Sequence, residues 1–129
     1  MLHFRAGTID DVVLVEFLVP GIYDGPEIDY ISKELHEMIG RSRSKKMIID
    51  LASVRFLTSK ALALLVSLKL LADTHHGQLL ICGLREEVVQ VFRVMRQDRF
   101  LSVYPDRDRA LAALRAHTST CPDGSAPTA

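Results

Sequence analysis

Several kinds of residue and segment are scarce in this chain of 129 residues, and each scarcity narrows the range of functions. Trp is absent and only 6% of the residues are aromatic, which argues against the stacking platforms that bind single-stranded nucleic acid. The formal net charge is zero, so no global field draws a nucleic acid or an anionic membrane. No apolar run reaches the roughly 18 residues that a membrane span needs. We therefore expect neither nucleic-acid binding nor membrane insertion.

Cysteine is scarce as well, with two in the chain. Cys82 lies in the apolar run QLLICGL and Cys121 lies in a polar tail, so they make a poor disulfide pair. A cysteine in an apolar strand usually packs as a small hydrophobe, and unpaired cysteines fit a reducing compartment. The opening residues MLHFRAGTID contain no apolar segment of the signal-peptide kind. These features predict a cytoplasmic protein.

The residue patterns of catalytic and metal sites are also missing. Ser59 is not in a nucleophile elbow, because Leu57 and Ala61 stand where that turn has glycines. His75 and His76 are adjacent rather than four residues apart, the spacing that puts two metal ligands on one helix face. The chain has no glycine-rich phosphate loop, and its carboxylates are scattered. We expect no catalytic residue, no metal and no cofactor, and therefore a protein that is not an enzyme.

The apolar pattern that is present predicts alternating strands and helices. Strands are expected near residues 2–5, 10–19, 47–51, 78–84 and 100–104, and helices near 26–40, 59–74, 85–95 and 105–116. The run MIIDL reads as a central strand, because it is almost continuously apolar. This order predicts an α/β fold, a mixed sheet with parallel crossovers and about four helices. We expect one domain over residues 1–116 and a disordered polar tail over 117–129.

Within these elements, single residues are assigned to helix ends and core faces. Asp24 is expected to cap the first helix, and Gly40 to end it. Gly77 is expected to stop the second helix. The third helix should turn four apolar residues inward: Val88, Val91, Phe92 and Met95.

Two adjacent hydroxyls, Thr58 and Ser59, stand where the second helix begins. Either can cap the helix by accepting a hydrogen bond from a backbone N–H two or three residues further on. Capping alone explains one hydroxyl. A helix N-terminus has unpaired N–H groups and a partial positive charge, so a phosphate is tolerated there. The position therefore suits a phosphorylation switch.

The second helix has more apolar residues than a one-sided surface helix needs. Either some of them form an exposed docking surface beside the two hydroxyls, or neighbouring helices cover both faces of the helix. The sequence leaves both possibilities open. The residues concerned are Leu62, Leu64, Leu65, Val66, Leu68, Leu70 and Leu71.

The segment IIDLASVRFLTSKALALLVSLKLLADTHHGQLLICGLREEVVQVFRVM resembles the core of a STAS domain, the fold of bacterial anti-sigma-factor antagonists. In that family a strand ending in Asn/Asp-Leu leads through V-x-F-[ML]-D-S-[ST]-G-L into a helix. A strand of the type G-G-x-L-x-[LI]-x-[GN] follows, and then a helix with V-x-x-[VL]-[FL]. The resemblance covers roughly residues 10 to 114. The matching residues are Asp50, Leu51, Val54, Phe56, Leu57, Ser59, Leu62, Gly77, Leu79, Ile81, Gly83, Val88, Val91 and Phe92.

The resemblance implies a single STAS-type domain that regulates transcription by binding a partner, without catalysis of its own. In the family, the serine that matches Ser59 is phosphorylated by a partner that is both a serine kinase and an anti-sigma factor. The unphosphorylated antagonist binds this partner and frees the sigma factor, and phosphorylation ends the binding. Other STAS domains are further possible partners. The implied partner-binding residues are Asp24, Thr58, Ser59, Lys60 and Leu62.

Three positions depart from the first of these motifs, the one that leads into the second helix. Thr58 replaces the Asp, Lys60 stands where Ser or Thr is usual, and Ala61 stands where Gly is usual. The resemblance implies that the Asp helps the kinase to orient the serine, and Lys60 changes the charge at the docking site. An alternative therefore stays open, in which the chain is a STAS scaffold that is not phosphorylated, or a subunit of a transport or lipid-handling complex.

Overall fold

The computed structural model describes residues 4–9, 11–23, 25–96 and 100–118, with side chains as far as residue 115. These residues form four helices and seven strands. In chain order the elements are β1 (Phe4–Ile9), β2 (Val12–Phe17), β3 (Gly21–Ile22), α1 (Pro26–Arg41), β4 (Lys46–Asp50), β5 (Phe56–Leu57), α2 (Ser59–Thr74), β6 (Gln78–Cys82), α3 (Glu86–Val94), β7 (Ser102–Tyr104) and α4 (Arg107–Thr118).

Five of the strands form one mixed sheet in the order β1-β2-β4-β6-β7. β1 pairs with β2 in antiparallel fashion, and the other neighbours are parallel. β4 is the central strand, as its apolar run predicts, and its residues from Met47 to Asp50 are buried. The α/β class, the parallel crossovers and the four helices are confirmed. The two-residue strands β3 and β5, which form a separate parallel pair, were not expected.

The sheet has an apolar cluster on each face. The larger cluster packs residues of the sheet against α1, α2 and α3. The smaller cluster lies under α4, where Ala110 and Leu114 cover Val12, Ile48 and Leu80. Side chains that alternate along one strand enter opposite clusters, as Ile48 and Ile49 of β4 do. Both faces of β4 and β6 are buried, which explains why polar and apolar residues do not alternate along these two strands.

Neighbouring elements cover most of α2, which resolves the choice that its sequence left open. Leu62, Leu64, Leu65 and Leu68 are all buried. Leu70 is the one large apolar side chain of α2 that is exposed, at 52%. It lies eleven residues after Ser59, about 16 Å along the helix axis. The four buried leucines therefore belong to the core, and the exposed Leu70 lies too far along the helix to make a docking surface beside the two hydroxyls.

The first helix ends differently from the prediction. Gly40 does not end α1, which continues to Arg41 and has Ser42 at its C-cap. The Ser42 hydroxyl accepts a hydrogen bond from the backbone N–H of Lys45 at 3.1 Å, so a side chain supplies the turn that a glycine was expected to make. At the other end, Gly25 occupies the N-cap position and makes no side-chain cap bond. Asp24, the predicted cap, lies outside the described residues.

Gly77 follows α2, but it is not the residue that turns the chain. The left-handed conformation belongs to His76, with φ 61°. Gly77 is required for space, because a Cβ there would collide with the backbone carbonyl of Lys45. The backbone N–H of Gln78 donates to that same carbonyl at 3.0 Å. Gly77 therefore allows the start of β6 to approach the start of β4.

Two predictions near the C-terminal part of the domain have different outcomes. Met95 was expected in the inward stripe of α3, but this is wrong, since it lies just beyond the helix and is 42% exposed. The last helix begins near residue 105, as expected, and the side chain of Asp106 accepts from the backbone N–H of Arg109 at 2.9 Å. α4 reaches Thr118, two residues past the predicted domain end. The predicted tail beyond 118, including Cys121, lies outside the described residues.

Candidate functional site

Thr58 is the residue that caps α2. It has extended backbone angles, φ −86° and ψ 168°, and its hydroxyl accepts a hydrogen bond from the backbone N–H of Ala61 at 3.2 Å. Both features are those of an N-cap. Of the two hydroxyls that could cap this helix, Thr58 therefore has the structural role.

Ser59 is the first residue of α2, and its side chain is exposed. Lys60 follows it and is exposed as well. The Lys60 Nζ lies 3.6 Å from Oδ1 of Asp29, in the first turn of α1. The first turn of α2 has no acidic residue. The hydroxyl of Ser59 therefore sits beside a positive helix end and a lysine whose ionic partner comes from another helix.

The loop before Ser59 is fixed by backbone hydrogen bonds to a distant segment. The carbonyl of Pro20 accepts from the N–H groups of Arg55 and Phe56, at 2.7 and 3.2 Å. The carbonyl of Ile22 accepts from the N–H of Thr58 at 3.1 Å. These bonds extend the parallel pairing of β3 with β5. They hold the start of α2 in register with the chain that leads into α1.

An exposed aromatic pair lies next to this helix start. The rings of Tyr23 and Phe56 have their centroids 5.3 Å apart, and the two side chains are 59% and 47% exposed. Tyr30 is also exposed, and it neighbours Asp29, the ionic partner of Lys60. We call the pair Tyr23 and Phe56 the aromatic surface. Large aromatic side chains that are exposed beside polar groups, here those at the start of α2, are typical of protein-binding surfaces.

Behind the loop, a buried carboxylate ties the sheet to α4. Asp50 is 7% exposed, and its Oδ2 accepts from Nε of Arg107 at 2.7 Å. Its Oδ1 accepts from the backbone N–H of Ala52 at 2.9 Å. The same arginine lies 3.1 Å from Glu16, which also pairs with Arg5. Among the described residues no buried side-chain nitrogen or oxygen lacks a hydrogen-bond partner, so the cluster ties the loop to the sheet and to α4.

The same cluster perturbs three titrating groups. The hydrogen bond from Arg5, with further attraction from Arg107, lowers the pKa of the Glu16 carboxyl. The hydrogen bond to Asp50 raises the pKa of Arg107. Burial, with the nearby Asp50 charge, raises the pKa of the Cys82 thiol to about 12. Cys82 is fully buried and free, which fits its predicted place in a strand and makes its thiol a poor nucleophile.

The predicted site residues fall into three groups. Thr58, Ser59 and Lys60 lie together at the start of α2. Leu62 does not share their surface, because it is 2% exposed and belongs to the core. Asp24 lies outside the described residues. Sequence reasoning missed the exposure of Tyr23 and the pairing of Lys60 with α1, since neither follows a periodic pattern.

Neither a metal-binding cluster nor a membrane-spanning helix is present in the part of the chain that the structure describes. Among those residues no group of three or more His, Cys, Asp or Glu side chains could hold a metal ion. Within the same ranges, none of the helices has the length and apolar character needed to cross a bilayer.

Comparison with protein families gives a match over most of the chain. The model of the STAS domain matches residues 5–110. This range includes the sheet, the first three helices and the start of α4. No curated protein matches the chain.

Solved structures of the same fold come from several kinds of protein. A STAS-domain anti-sigma-factor antagonist from Planctomyces limnophilus is 22% identical, with a TM-score of 0.79 over 87% of this chain and 97% of that chain. The anti-sigma factor antagonist SpoIIAA in its unphosphorylated form is 14% identical, with a TM-score of 0.74 over 88% and 96%. The phosphorylated form of the Bacillus SpoIIAA is 12% identical, with a TM-score of 0.65 over 84% and 96%.

A relative from a different functional context has the same fold. A sulfate transporter family protein from Wolinella succinogenes is 14% identical, with a TM-score of 0.71 over 88% of this chain and 93% of that chain. At these identities the similarities establish the shared fold.

Proposed function

The chain belongs to the STAS domain family, and from this premise we propose that it is a regulatory binding module of the anti-sigma-factor antagonist type. It works in the cytoplasm without catalysis of its own, and phosphorylation of Ser59 controls it. Its partner is an anti-sigma factor with serine kinase activity. The unphosphorylated protein binds this partner and releases the sigma factor, and the phosphorylated protein does not bind.

The proposal depends on one observation: the hydroxyls of Thr58 and Ser59 have different roles. Thr58 caps α2 through its contact with Ala61. Ser59 is exposed at the first position of the helix, so its hydroxyl is accessible and the cap does not depend on it. A phosphate on Ser59 would add about −1.5 to −2 charges and three acceptor oxygens beside a helix N-terminus, which tolerates them. Modification there changes the surface and leaves the fold intact.

The surroundings of Ser59 support a protein partner. Phe56 lies three residues before the serine, its ring packs on that of Tyr23, and both rings are exposed. Aromatic side chains are enriched at protein interfaces. We infer a partner that covers these rings together with Ser59 and removes water from the serine. A phosphate dianion in that contact would have to be paired or desolvated at a cost of several kcal/mol. Phosphorylation would therefore end the binding.

The transfer itself needs ATP bound to the partner. The Ser59 hydroxyl oxygen attacks the γ-phosphorus, the new O–P bond forms, and the bond to the β-phosphate oxygen breaks. ADP leaves, and a base of the kinase takes the hydroxyl proton. In this chain Thr58 stands where the family has Asp, so the kinase receives no orienting carboxylate from that position.

The proposal is tested with the cognate kinase, ATP and mass mapping of the phosphate. We expect phosphate on Ser59, none in Ser59→Ala, and retention of partner binding by Ser59→Ala. Ser59→Asp should keep the fold and weaken binding by at least about tenfold. Ser53→Asp adds the same charge at another exposed position of the preceding loop and should bind normally. Phosphate on Thr58, or binding that Ser59→Asp leaves unchanged, would contradict the proposal.

A second function is favoured by Thr58 and Lys60 themselves, the two departures from the motif. In this alternative the domain is a STAS scaffold that binds other STAS domains or a transport or lipid-handling complex, without phosphorylation. The fold it shares with a sulfate transporter family protein is compatible with that role. Absence of phosphate from both hydroxyls, together with co-purification of a transport subunit, would support the scaffold.

A further inference from the structure

We propose that Lys60 is the counter-ion of phosphorylated Ser59, and that phosphorylation transfers this lysine from Asp29 to the phosphate. The inference rests on the proposed function, because it takes Ser59 as the modified residue. Its structural basis is the ion pair between Lys60 Nζ and Asp29 Oδ1, at 3.6 Å, which joins the first turns of α2 and α1.

Lys60 stands at a place where its charge is not favoured by its own helix. A cation in the first turn is repelled by the positive end of the helix dipole. The first turn of α2 offers no acidic residue to offset it, so the compensating charge comes from Asp29. At 3.6 Å the pair is longer than the 2.7–2.9 Å or so of a charge-assisted hydrogen bond. Its side chains are 54% and 76% exposed, so packing does not hold the lysine on Asp29.

A phosphate on Ser59 would compete with Asp29 for the lysine. It stands on the adjacent residue and carries up to about twice the charge of a carboxylate, so at equal distance it attracts Lys60 about twice as strongly. It also presents three acceptor oxygens to the three ammonium donors. Adjacent residues on a helix point about 100° apart, so the lysine reaches the phosphate by rotation of its long side chain, which is exposed.

The exchange changes the charge on two helix ends at once. Before phosphorylation, Lys60 and Asp29 neutralise each other and Ser59 is uncharged. After phosphorylation, the phosphate is partly neutralised and Asp29 has lost its partner. Glu27 stands in the same first turn of α1. The negative surface that a partner meets therefore extends from the start of α2 to the start of α1, which includes the residue next to Tyr30.

The first test uses protein with genetically encoded phosphoserine at position 59, with no kinase present. A ³¹P NMR titration measures the second pKa of the phosphate, which is about 6 in a solvated phosphoserine. We expect a value below that, and an increase of about 0.2 to 0.7 pH units in Lys60→Gln, the range that corresponds to a surface ion pair. Lys69→Gln removes the same charge about 13 Å further along α2, beyond the Debye length of about 8 Å, and should change nothing.

The second test follows the lysine. The Cε resonance of Lys60 is assigned by its loss in Lys60→Gln. In the unphosphorylated protein, Asp29→Asn should shift this resonance, and in the phosphoserine protein Asp29→Asn should leave it in place. An equal phosphate pKa in Lys60→Gln and wild type would overturn the counter-ion. A Lys60 resonance that still responds to Asp29→Asn after phosphorylation would overturn the exchange. Neither result bears on whether a kinase modifies Ser59, so the two proposals fail separately.

Discussion

The buried thiol of Cys82 makes the stability of the domain depend on alkaline pH. Cys82 is fully buried under α4, and its pKa is raised to about 12 by that burial and by the nearby Asp50. In the unfolded chain a cysteine titrates near 8.5. Above that pH, ionisation of the thiol lowers the free energy of the unfolded state. The folded state is not stabilised in this way, because its thiol stays protonated. The stability contribution is therefore fully present below about pH 8.5 and is lost as the pH rises toward 12.

The size of this loss follows from the two pKa values. Each pH unit between them costs about 1.4 kcal/mol of unfolding free energy. Integration from pH 8 to pH 10 gives about 2 kcal/mol, since the unfolded thiol is mostly ionised at pH 10 and the folded thiol remains protonated. Cys82→Ala removes this term. It also costs about 1 kcal/mol for the lost sulfur contacts, but that cost is the same at both pH values.

Urea unfolding followed by circular dichroism at pH 8 and pH 10, in the presence of a reductant, measures the effect. Wild type should lose about 2 kcal/mol more than Cys82→Ala between the two conditions. Cys121→Ala, which removes the thiol of the predicted tail, should keep the wild-type dependence. A thiol reagent should label native Cys82 far more slowly than Cys121. Parallel pH dependence in wild type and Cys82→Ala would refute the assigned burial.

Three further predictions concern stability. In urea unfolding, Arg107→Ala should lower the stability by about 2 kcal/mol, because the buried carboxylate of Asp50 loses its charged donor. The control Arg109→Ala, on the same helix, should cost less than about 0.5 kcal/mol. Equal losses would contradict the pairing of Arg107 with Asp50. Thr58→Ala should cost about 1 kcal/mol and Ser59→Ala less than about 0.5 kcal/mol, with the opposite order refuting the assigned cap. Deletion of residues 119–129 should leave the melting temperature nearly unchanged, and a drop of many degrees would mean that this segment packs on the domain.

The order and type of the main elements could be predicted because long apolar periodic runs decide them. The bounds of α2, residues 59 to 74, came directly from such a run and from the hydroxyls before it. Helix ends were harder to predict. Gly40 gave the usual stop signal, but the hydroxyl of Ser42 made an alternative turn one residue later. The strands β3 and β5 have two residues each, too few for a period of two to be visible.

The candidate site could be predicted only where one stretch of chain contains it. The pairing of hydroxyl and helix start at Thr58 and Ser59 is local, so the sequence revealed it. The contact of Lys60 with Asp29 and that of Phe56 with Tyr23 join residues about 30 positions apart. Such contacts depend on how α1 returns to the sheet, and composition does not specify that. The coverage of α2 was undecidable for the same reason.

The hydrogen bonds that the loop before Ser59 donates to the carbonyls of Pro20 and Ile22 have a consequence for the phosphorylation that we propose. A linear peptide containing residues 54–64 would lack the β3 backbone, the ring of Tyr23 and the carboxylate of Asp29. The epitope is conformational, so an enzyme selected for this surface should modify the folded domain and ignore the peptide. Under the proposed function, Ser59 would then be modified only in copies whose chain segments on either side of α1 have come together, so newly made or damaged copies would stay unmodified.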